Sequence, residues 1–454
     1  MNSVGSNFNS SSVASFVANT LDGVKSHDTE LKALVSTLDE TALSAARHAD
    51  GVAAAGGTTG DLHGLPFVVK DIIDIAGQQT RSGSLTRAEQ PLADADAPVV
   101  AALRGAGAIP IAKTNTVEFA IGGWGTNETV GTPVNPWDLK TPRVPGGSSS
   151  GTGVLVGAGL VPAGLGTDTG GSVRIPAAFC GCVGLKTSIG LVSRAGVTPL
   201  SDTLDTVGPL TDTVERAARM LAIMQGPDAA DATTLGVTAR CPLNELDRGI
   251  QGLRLARIET DHMPHLTNEV AEAFDAALDQ LREAGATITT CELPLALDDY
   301  QHLGGIISAT EAYATYQDIV DNPNSHMAAP NRTRMARGAD VSAAELIRIR
   351  RDRARAIADF EAIIDRADAI ILPTAAFAAI PIADVDETNM RMSSHTRFAN
   401  YLELAGLAVP MSLTPGGLPT SLQIVVRRFD DPLALRIGQA FEKVRGAFPR
   451  PDLG

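Results

Sequence analysis

Cysteine is scarce in this chain: Cys180, Cys182, Cys241 and Cys291 are the only ones. The first two form a C-x-C pair and no second pair at metal-ligand spacing follows, so neither a zinc cluster nor a disulfide framework organises the fold. Buried, reduced thiols are the expectation. Basic charge is short as well. Against 52 acidic residues stand 37 lysines and arginines, giving a formal net charge of −15 and a pI of about 5.0. A protein built to hold nucleic acid or an anionic membrane carries a basic face, so neither is an expected partner. The one dense basic stretch, Arg348 to Arg355, is followed by Asp359, Glu361 and Asp365 at helical spacing. It reads as a solvated, salt-bridged helix face. Long apolar runs are missing too: the longest weakly polar stretch, Val154 to Gly166, is too short and too rich in glycine and proline to span a bilayer. The opening residues lack the charged and apolar regions of a secretion signal, and the expected location is the cytoplasm.

What remains is ordinary for a packed globular chain, 44 % hydrophobic and 20 % charged. The length admits about two to four domains, although large α/β proteins often run this long around one sheet. Disorder is expected over residues 1–12. From Val13 to about His48 the apolar spacing is helical. Leu65 to Ile75 is rich in β-branched residues and reads as a strand, or as two strands joined by a turn. A helix over Ala97 to Ala106 and a strand over Ala108 to Ala112 follow, a β–α–β rhythm that argues for a sheet layered with helices. Thr213 to Gln225 is a helix ended at Gly226-Pro227. Leu253 to Ile258 begins a second strand–helix block, with Asn268 to Ala284 as its helix. Ser342 to Arg366 is a long amphipathic helix feeding a strand at Ala369 to Leu372. Finally, TPGGLP between Ala408–Leu413 and Ser421–Val426 is a hairpin signal.

Between Phe119 and Gly153 glycine, proline, asparagine and threonine dominate and no period holds, which in a compact domain marks a functional segment. It ends in Val144-Pro-Gly-Gly-Ser-Ser-Ser-Gly-Thr-Gly153. The spacing of a phosphate-binding P-loop is absent, and so is a dinucleotide fingerprint. Gly147 to Gly151 matches the G-x-S-x-G nucleophile elbow with Ser149 at its centre. An elbow, however, needs a strand before it, and Pro136, Pro142 and Pro145 argue against one. It also needs a later histidine, and His302, His326 and His395 lie in no supporting context. Twenty-four residues beyond Ser148 (residues 148 to 172), Gly166-Thr-Asp-Thr-Gly-Gly-Ser-Val-Arg-Ile-Pro176 carries two glycines directly before Ser172. Such glycines let consecutive N–H groups converge into an anion-binding nest, where a serine is placed for acyl transfer. Gly-Gly-Ser also closes tight turns, so this segment alone leaves both readings open. Lys70 adds to the first. If Leu65–Val69 is a strand, Lys70 shares a face with Val68 while Asp71 points away. A lysine desolvated without a carboxylate loses basicity. Lowering its pKa from about 10.4 to near 7 takes roughly 4–5 kcal/mol, within the reach of burial, and a neutral lysine serves as a general base.

Together these residues resemble the amidase signature family. Its hallmarks are a lysine in a strand ending V-K-D, a Gly-Gly-Ser-Ser-[GS]-Gly segment and a G-T-D-[TI]-G-G-S-[IV]-R-x-P segment. They occur here in order as Val69–Asp71, Gly146–Gly151 and Gly166–Pro176. AKTNTVEFA (112–120), TPVNPWD (132–138), AAFCGCVGLK (177–186), DTVGPLTDTV (205–214) and the C-terminal AVPMSLTPGGLPTSLQIV also match, so the resemblance covers about residues 20–445. One departure is Gly184-Leu-Lys-Thr-Ser-Ile-Gly-Leu191, where the family usually continues G-L-K-P-T-x-G-R. The resemblance implies one large α/β/α domain over 13–454, with a signature core at about 61–214. Its central β-sheet is mixed and mostly parallel, covered by helices on both faces. It implies Ser172 as the acylated nucleophile, Ser148 as a bridging serine after a cis bond from Gly147, and Lys70 as the terminal base. It further implies an oxyanion hole from the N–H groups of Thr169, Gly170, Gly171 and Ser172, with Ser149, Asp168 and Arg174 in support. No metal or organic cofactor is implied. Substrate contacts are expected from 119–125, with Phe119 and Trp124 packing on an apolar or aryl acyl group beside Gly122 and Gly123. The expected partners are a small-molecule amide or carbamate and water, the chain acting as a monomer or homodimer. The alternative is the glutaminase-type subunit of a tRNA-dependent amidotransferase complex, which is similar around 146–214.

Overall fold

The apolar, β-branched runs become strands. They are β1 (Leu34–Thr37), β2 (Pro66–Lys70), β3 (Ile109–Thr114), β4 (Ala163–Asp168), β5 (Val183–Lys186), β6 (Thr206–Thr211), β7 (Arg254–Ile258), β8 (Thr287–Cys291), β9 (Ala369–Pro373), β10 (Ala405–Leu413) and β11 (Pro419–Val426). The computed structural model describes residues 12–454. The disorder expected over 1–12 therefore lies outside the described residues except at Ser12, whose hydroxyl accepts from the Ser15 N–H and caps the helix Val13–Leu31. Among the described residues the strands form one sheet in the order β1-β3-β2-β4-β6-β5-β10-β11-β9-β7-β8.

The sheet is mixed, as expected, but parallel pairing does not dominate. Six of its ten neighbouring pairs are antiparallel. Parallel pairing is confined to β2 with β3 and β4, and to β7 with β8 and β9, where helical crossovers make it possible. The reversals arise where β6 runs against both β4 and β5, and where the TPGGLP turn folds β10 onto β11.

Two cores line the sheet. Along β2, Phe67 and Val69 enter one core with the helices Pro98–Gly105 and Val214–Met224. Val68 enters the other with Val13–Leu31 and Ser150–Gly157. The strand is thus buried on both faces, and its alternation decides which layer each side chain meets.

The expected helices at 97–106, 213–225, 268–284 and 342–366 form as Pro98–Gly105, Val214–Met224, Asn268–Glu283 and Ala343–Ile364. Thr213 caps the second by accepting from the Arg216 N–H. The helical run from Val13 breaks at Lys32, whose φ of 53° ends the first helix. Leu34–Thr37 then pairs with the edge of β3 before a second helix begins at Asp39. Several elements escaped the sequence reading, three of them for evident reasons. The helix Leu297–Val320 carries too little periodic contrast, and Leu34–Thr37 is a short edge strand. β4, Ala-Gly-Leu-Gly-Thr-Asp, is buried along its whole length despite having no β-branched pattern.

The basic stretch is only partly a solvated face. Arg353 is buried and donates to the Tyr401 carbonyl at 2.6 Å, and Arg350 reaches off the helix to Glu311. Glu361 and Asp365 pair with Arg427 instead of their own helix. The cysteines are all free; Cys180 and Cys182 are buried as expected, whereas Cys241 is exposed. No helix among the described residues is long and apolar enough to cross a membrane.

The centre of the sheet tolerates no added atom at Gly208 of β6, where a Cβ would stand 1.9 Å from the Leu185 carbonyl oxygen of β5. Gly208→Ala is expected to destabilise the fold by about 1–3 kcal/mol through overpacking, read as a lower midpoint in denaturant unfolding.

Candidate active site

Because β2 and β4 run parallel, with Val69 opposite Leu165, their C-terminal ends emerge side by side. Lys70 ends β2 and is fully buried. Its Nζ donates to Ser148 Oγ at 2.7 Å and to Thr167 Oγ1 at 2.8 Å. Asp71 points to the other side of the strand, as expected, and pairs with Lys113 at 2.9 Å. Lys70 is left with no carboxylate in ion-pair contact among the described residues. Burial pulls its pKa down to about 7, against the weaker opposing pull of Asp205 and Asp168.

Ser148 follows Gly147 through a cis peptide bond. Side chains are excluded at Gly147, where a Cβ would stand 2.8 Å from both the Gly125 nitrogen and Val117 Cγ2. The Ser148 carbonyl accepts from Thr116 Oγ1 at 2.7 Å and from the Val117 N–H at 3.2 Å. That carbonyl is therefore held by two donors of one neighbouring segment.

Ser149 precedes the helix Ser150–Gly157 and is buried. Its Oγ donates to the Thr167 carbonyl and accepts from the Thr167 N–H, both at 3.3 Å. No strand precedes it, His302 and His326 are exposed, and His395 is buried between the carbonyls of Pro373 and Pro264 at 3.1 Å each. The nucleophile elbow is excluded on each of its requirements.

Ser172 is 7 % exposed and lines a cavity of about 490 Å³. Its hydroxyl makes no hydrogen bond among the described residues. The N–H groups of Thr169, Gly170 and Ser172 have no acceptor there either. Gly171, at φ 133°, differs from the expected four-donor hole: its N–H donates to Asp168 Oδ1 at 2.8 Å. The donor is already committed to shaping the turn.

Asp168 sets that shape. Arg174 donates to it through Nε at 3.0 Å and Nη2 at 2.9 Å, with both side chains fully buried. The Val173 N–H and Asn400 Nδ2 also donate to the carboxylate, at 3.2 and 2.9 Å. Burial alone would raise its pKa, but the charge and hydrogen bonds of Arg174, with Lys186 behind, hold it well below the usual carboxylate range. Arg174 in turn donates to Gln423 Oε1 at 2.6 Å and to the Thr396 carbonyl at 2.9 Å.

Of the expected substrate-contacting residues, Gly122 and Gly123 line the cavity; Phe119 and Trp124 do not. Phe119 packs on Tyr316 with ring centroids 4.6 Å apart. Trp124 packs on Phe377 and donates through its indole to the carbonyls of Asp386 and Asn389. Both aromatics are spent on the walls behind the cavity. Thr167, Asn400, Gln423, Thr396 and Arg397 were not singled out in the sequence. Thr167 stands in the quoted Gly166–Pro176 segment and Gln423 in the closing strands, but neither carries a local signal of its role. At the departure in 184–191, Lys186 Nζ donates to the Leu404 carbonyl at 2.6 Å and the Ser188 N–H to Asp431 Oδ1 at 2.8 Å. The loop is anchored without the family's proline.

Fold and sequence segments together define an enzyme class that hydrolyses C–N bonds. The family model described as Amidase matches residues 15–435, and the chain belongs to this family, the amidase signature enzymes. It is 33 % identical to one of the subunits of the glutamyl-tRNA(Gln) amidotransferase of Acidobacterium capsulatum over 457 aligned residues, covering 94 % of each chain. Among solved structures it is similar to a chain of a vestigial protein complex described as revealing the evolutionary origins of an s-triazine catabolic enzyme. That pair has a TM-score of 0.90 and 28 % identity, covering 98 % of this chain and 97 % of the other. It is also similar to a peptide amidase from Stenotrophomonas maltophilia, with a TM-score of 0.86 and 28 % identity, covering 98 % and 96 %.

Replacing one partner of the buried Asp168–Arg174 pair leaves an uncompensated charge. Asp168→Asn is expected to lower stability by about 3–5 kcal/mol, measured by denaturant unfolding.

Proposed function

We propose that this chain hydrolyses the C–N bond of an amide through an acyl-enzyme on Ser172, with reach to carbamates, ureas or esters. One observation carries the reading: the carboxylate-free Lys70 donates to Ser148 beside a cavity-lining Ser172 and three unengaged N–H groups. In the neutral form Lys70 takes a proton from Ser148, which takes one from Ser172. The Ser172 oxygen adds to the carbonyl carbon, and the N–H groups of Thr169, Gly170 and Ser172 hold the oxyanion. The relay then runs backwards, protonating the nitrogen as the C–N bond breaks. Water adds to the acyl-enzyme by the same route, releasing the acid and restoring Ser172. The net change is amide plus water to acid plus amine. Asp168 and Arg174 hold the turn that presents the donors, and Ser149 ties the relay segment to β4.

Two settings suit this chemistry. The names of the curated relatives favour a glutaminase subunit of an amidotransferase complex over a stand-alone hydrolase. The cavity favours an amide that bears no ammonium group, because among the described residues its only lining carboxylate is the exposed Asp298. Ammonia release from glutamine, measured on the chain alone and with candidate partner subunits, separates the settings from hydrolysis of aryl amides, aliphatic amides and carbamates by the isolated chain.

A fluorophosphonate probe is expected to label Ser172 and to leave Ser172→Ala unlabelled; modification at Ser149 instead would sink the assignment. Lys70→Ala is expected to slow acylation near pH 7 by about 10²–10⁴-fold, the usual worth of a general base. The active form of Lys70 is the unprotonated one. In the wild type kcat/KM should therefore rise with pH through an apparent pKa of about 7 and level off above it. A flat profile from pH 5 to 9 would remove the lysine from the mechanism.

A further inference from the structure

Arg397 stands at the cavity wall as a cation without an anion. Among the described residues its side chain makes a single hydrogen bond, from Nη1 to Ser308 Oγ at 3.1 Å. Its Nε is buried with no acceptor, and no carboxylate pairs with it. The guanidinium is seated between two glycines. A Cβ on Gly170 would stand 2.3 Å from its Cζ, and one on Gly304 would stand 2.9 Å from its Cδ. Both absences of side chain admit the arginine up to the Gly170 backbone, next to the donors that face the scissile carbonyl. Asp168 is the carboxylate whose charge acts on it, but that carboxylate is already engaged by Arg174, Asn400 and the Gly171 N–H. Burial pulls the Arg397 pKa down to about 10, which leaves it charged at neutral pH.

The rest of the cavity has the same sign. Among the described residues Arg334, Arg337, Arg391 and Arg397 line it against Asp298 alone, in a chain whose net charge is −15. Arg334 is neutralised by Glu387, whereas Arg391 lies over the Phe377 ring with its Cζ 4.9 Å from the centroid and has no ion pair among the described residues. A concave, cation-lined site in an acidic protein concentrates anions. A planar guanidinium with free donors is matched to a carboxylate, which it binds by paired hydrogen bonds.

We infer that Arg397 is a carboxylate-binding residue of this site, and that the substrate is an amide whose acyl part carries a carboxylate close to the scissile carbonyl, as in a short dicarboxylic acid monoamide. The contact with Gly170 sets the short spacing. Among the described residues the cavity offers no enclosed carboxylate, only the exposed Asp298, which disfavours an α-ammonium beside the bound anion. The inference rests on Ser172 as the nucleophile.

The test compares malonamate and succinamate with the neutral propionamide and butyramide, and with glutamine, in wild type, Arg397→Gln and Arg397→Lys. Wild type is expected to favour the monoamide acids by about 10- to 100-fold in kcat/KM, the worth of hydrogen bonds to a charged group. That preference should collapse in R397Q, with KM carrying the change, and recover in part in R397K. Independently of turnover, malonate should slow fluorophosphonate labelling of Ser172 in wild type and lose this effect in R397Q. Equal use of charged and neutral amides by wild type, a preference for glutamine, or an unchanged preference in R397Q overturns the inference while leaving Ser172 as the nucleophile. Absence of both labelling and turnover in wild type fells the hydrolase reading, and the subsite with it.

Discussion

The buried ion pair between Asp168 and Arg174 is the interaction on which the site depends. Each partner is fully enclosed, so neither charge is tolerable without the other. Asp168 ends β4 and Arg174 begins the helix Arg174–Cys180, so the pair closes the turn between them. The same carboxylate takes the Gly171 and Val173 N–H groups, which leaves those of Thr169, Gly170 and Ser172 turned to other use. Arg174 then carries the constraint to Thr396, Asn400 and Gln423 in the C-terminal part of the chain. The turn that bears Ser172 is thereby fastened to a strand made 249 residues later, from 174 to 423.

Three buried lysines show how partner choice decides chemistry. Lys113 faces Asp71 at 2.9 Å and is neutralised by an ion pair. Lys186 donates to the carbonyls of Thr187 and Leu404 and holds a loop. Lys70 meets only hydroxyls, one of them that of Ser148, and burial brings it near neutrality as it does Lys186. The three positions are alike in burial. What separates them is the group each one meets: a carboxylate, backbone carbonyls or hydroxyls.

Lys70, Ser148 and Ser172 were legible because each sits in a local pattern: a β-branched run ending in V-K-D and two glycine-bedded serines. Gly146 and Gly171 take positive φ values that other residues rarely adopt, and Gly147 and Gly170 stand where a side chain has no room. The departures have physical causes. Thr167, Asn400, Gln423 and Arg397 reach the site through strand pairing and long connections, so no short window shows them. Phe119 and Trp124 stand beside the right segment, but the backbone there turns them into the core, with Phe119 itself at φ 48°. The balance of parallel and antiparallel strands was unreadable, because it depends on where β6, β10 and β11 insert and not on their composition. Gly171 was read as a free donor because the carboxylate that takes its N–H lies three residues upstream and gives no sign of its rotamer.

The position of β10 and β11 bears on how the molecule is made. These strands are synthesised last, yet they lie in the interior of the sheet between β5 and β9. Until they emerge from the ribosome, β5 presents an unpaired edge, and β7–β9 have no attachment to the earlier half of the sheet. An open, apolar strand edge invites pairing with other chains. Made from the N-terminus onward, both halves of the sheet precede the hairpin that joins them, and the edges they offer are covered only when it slots between them.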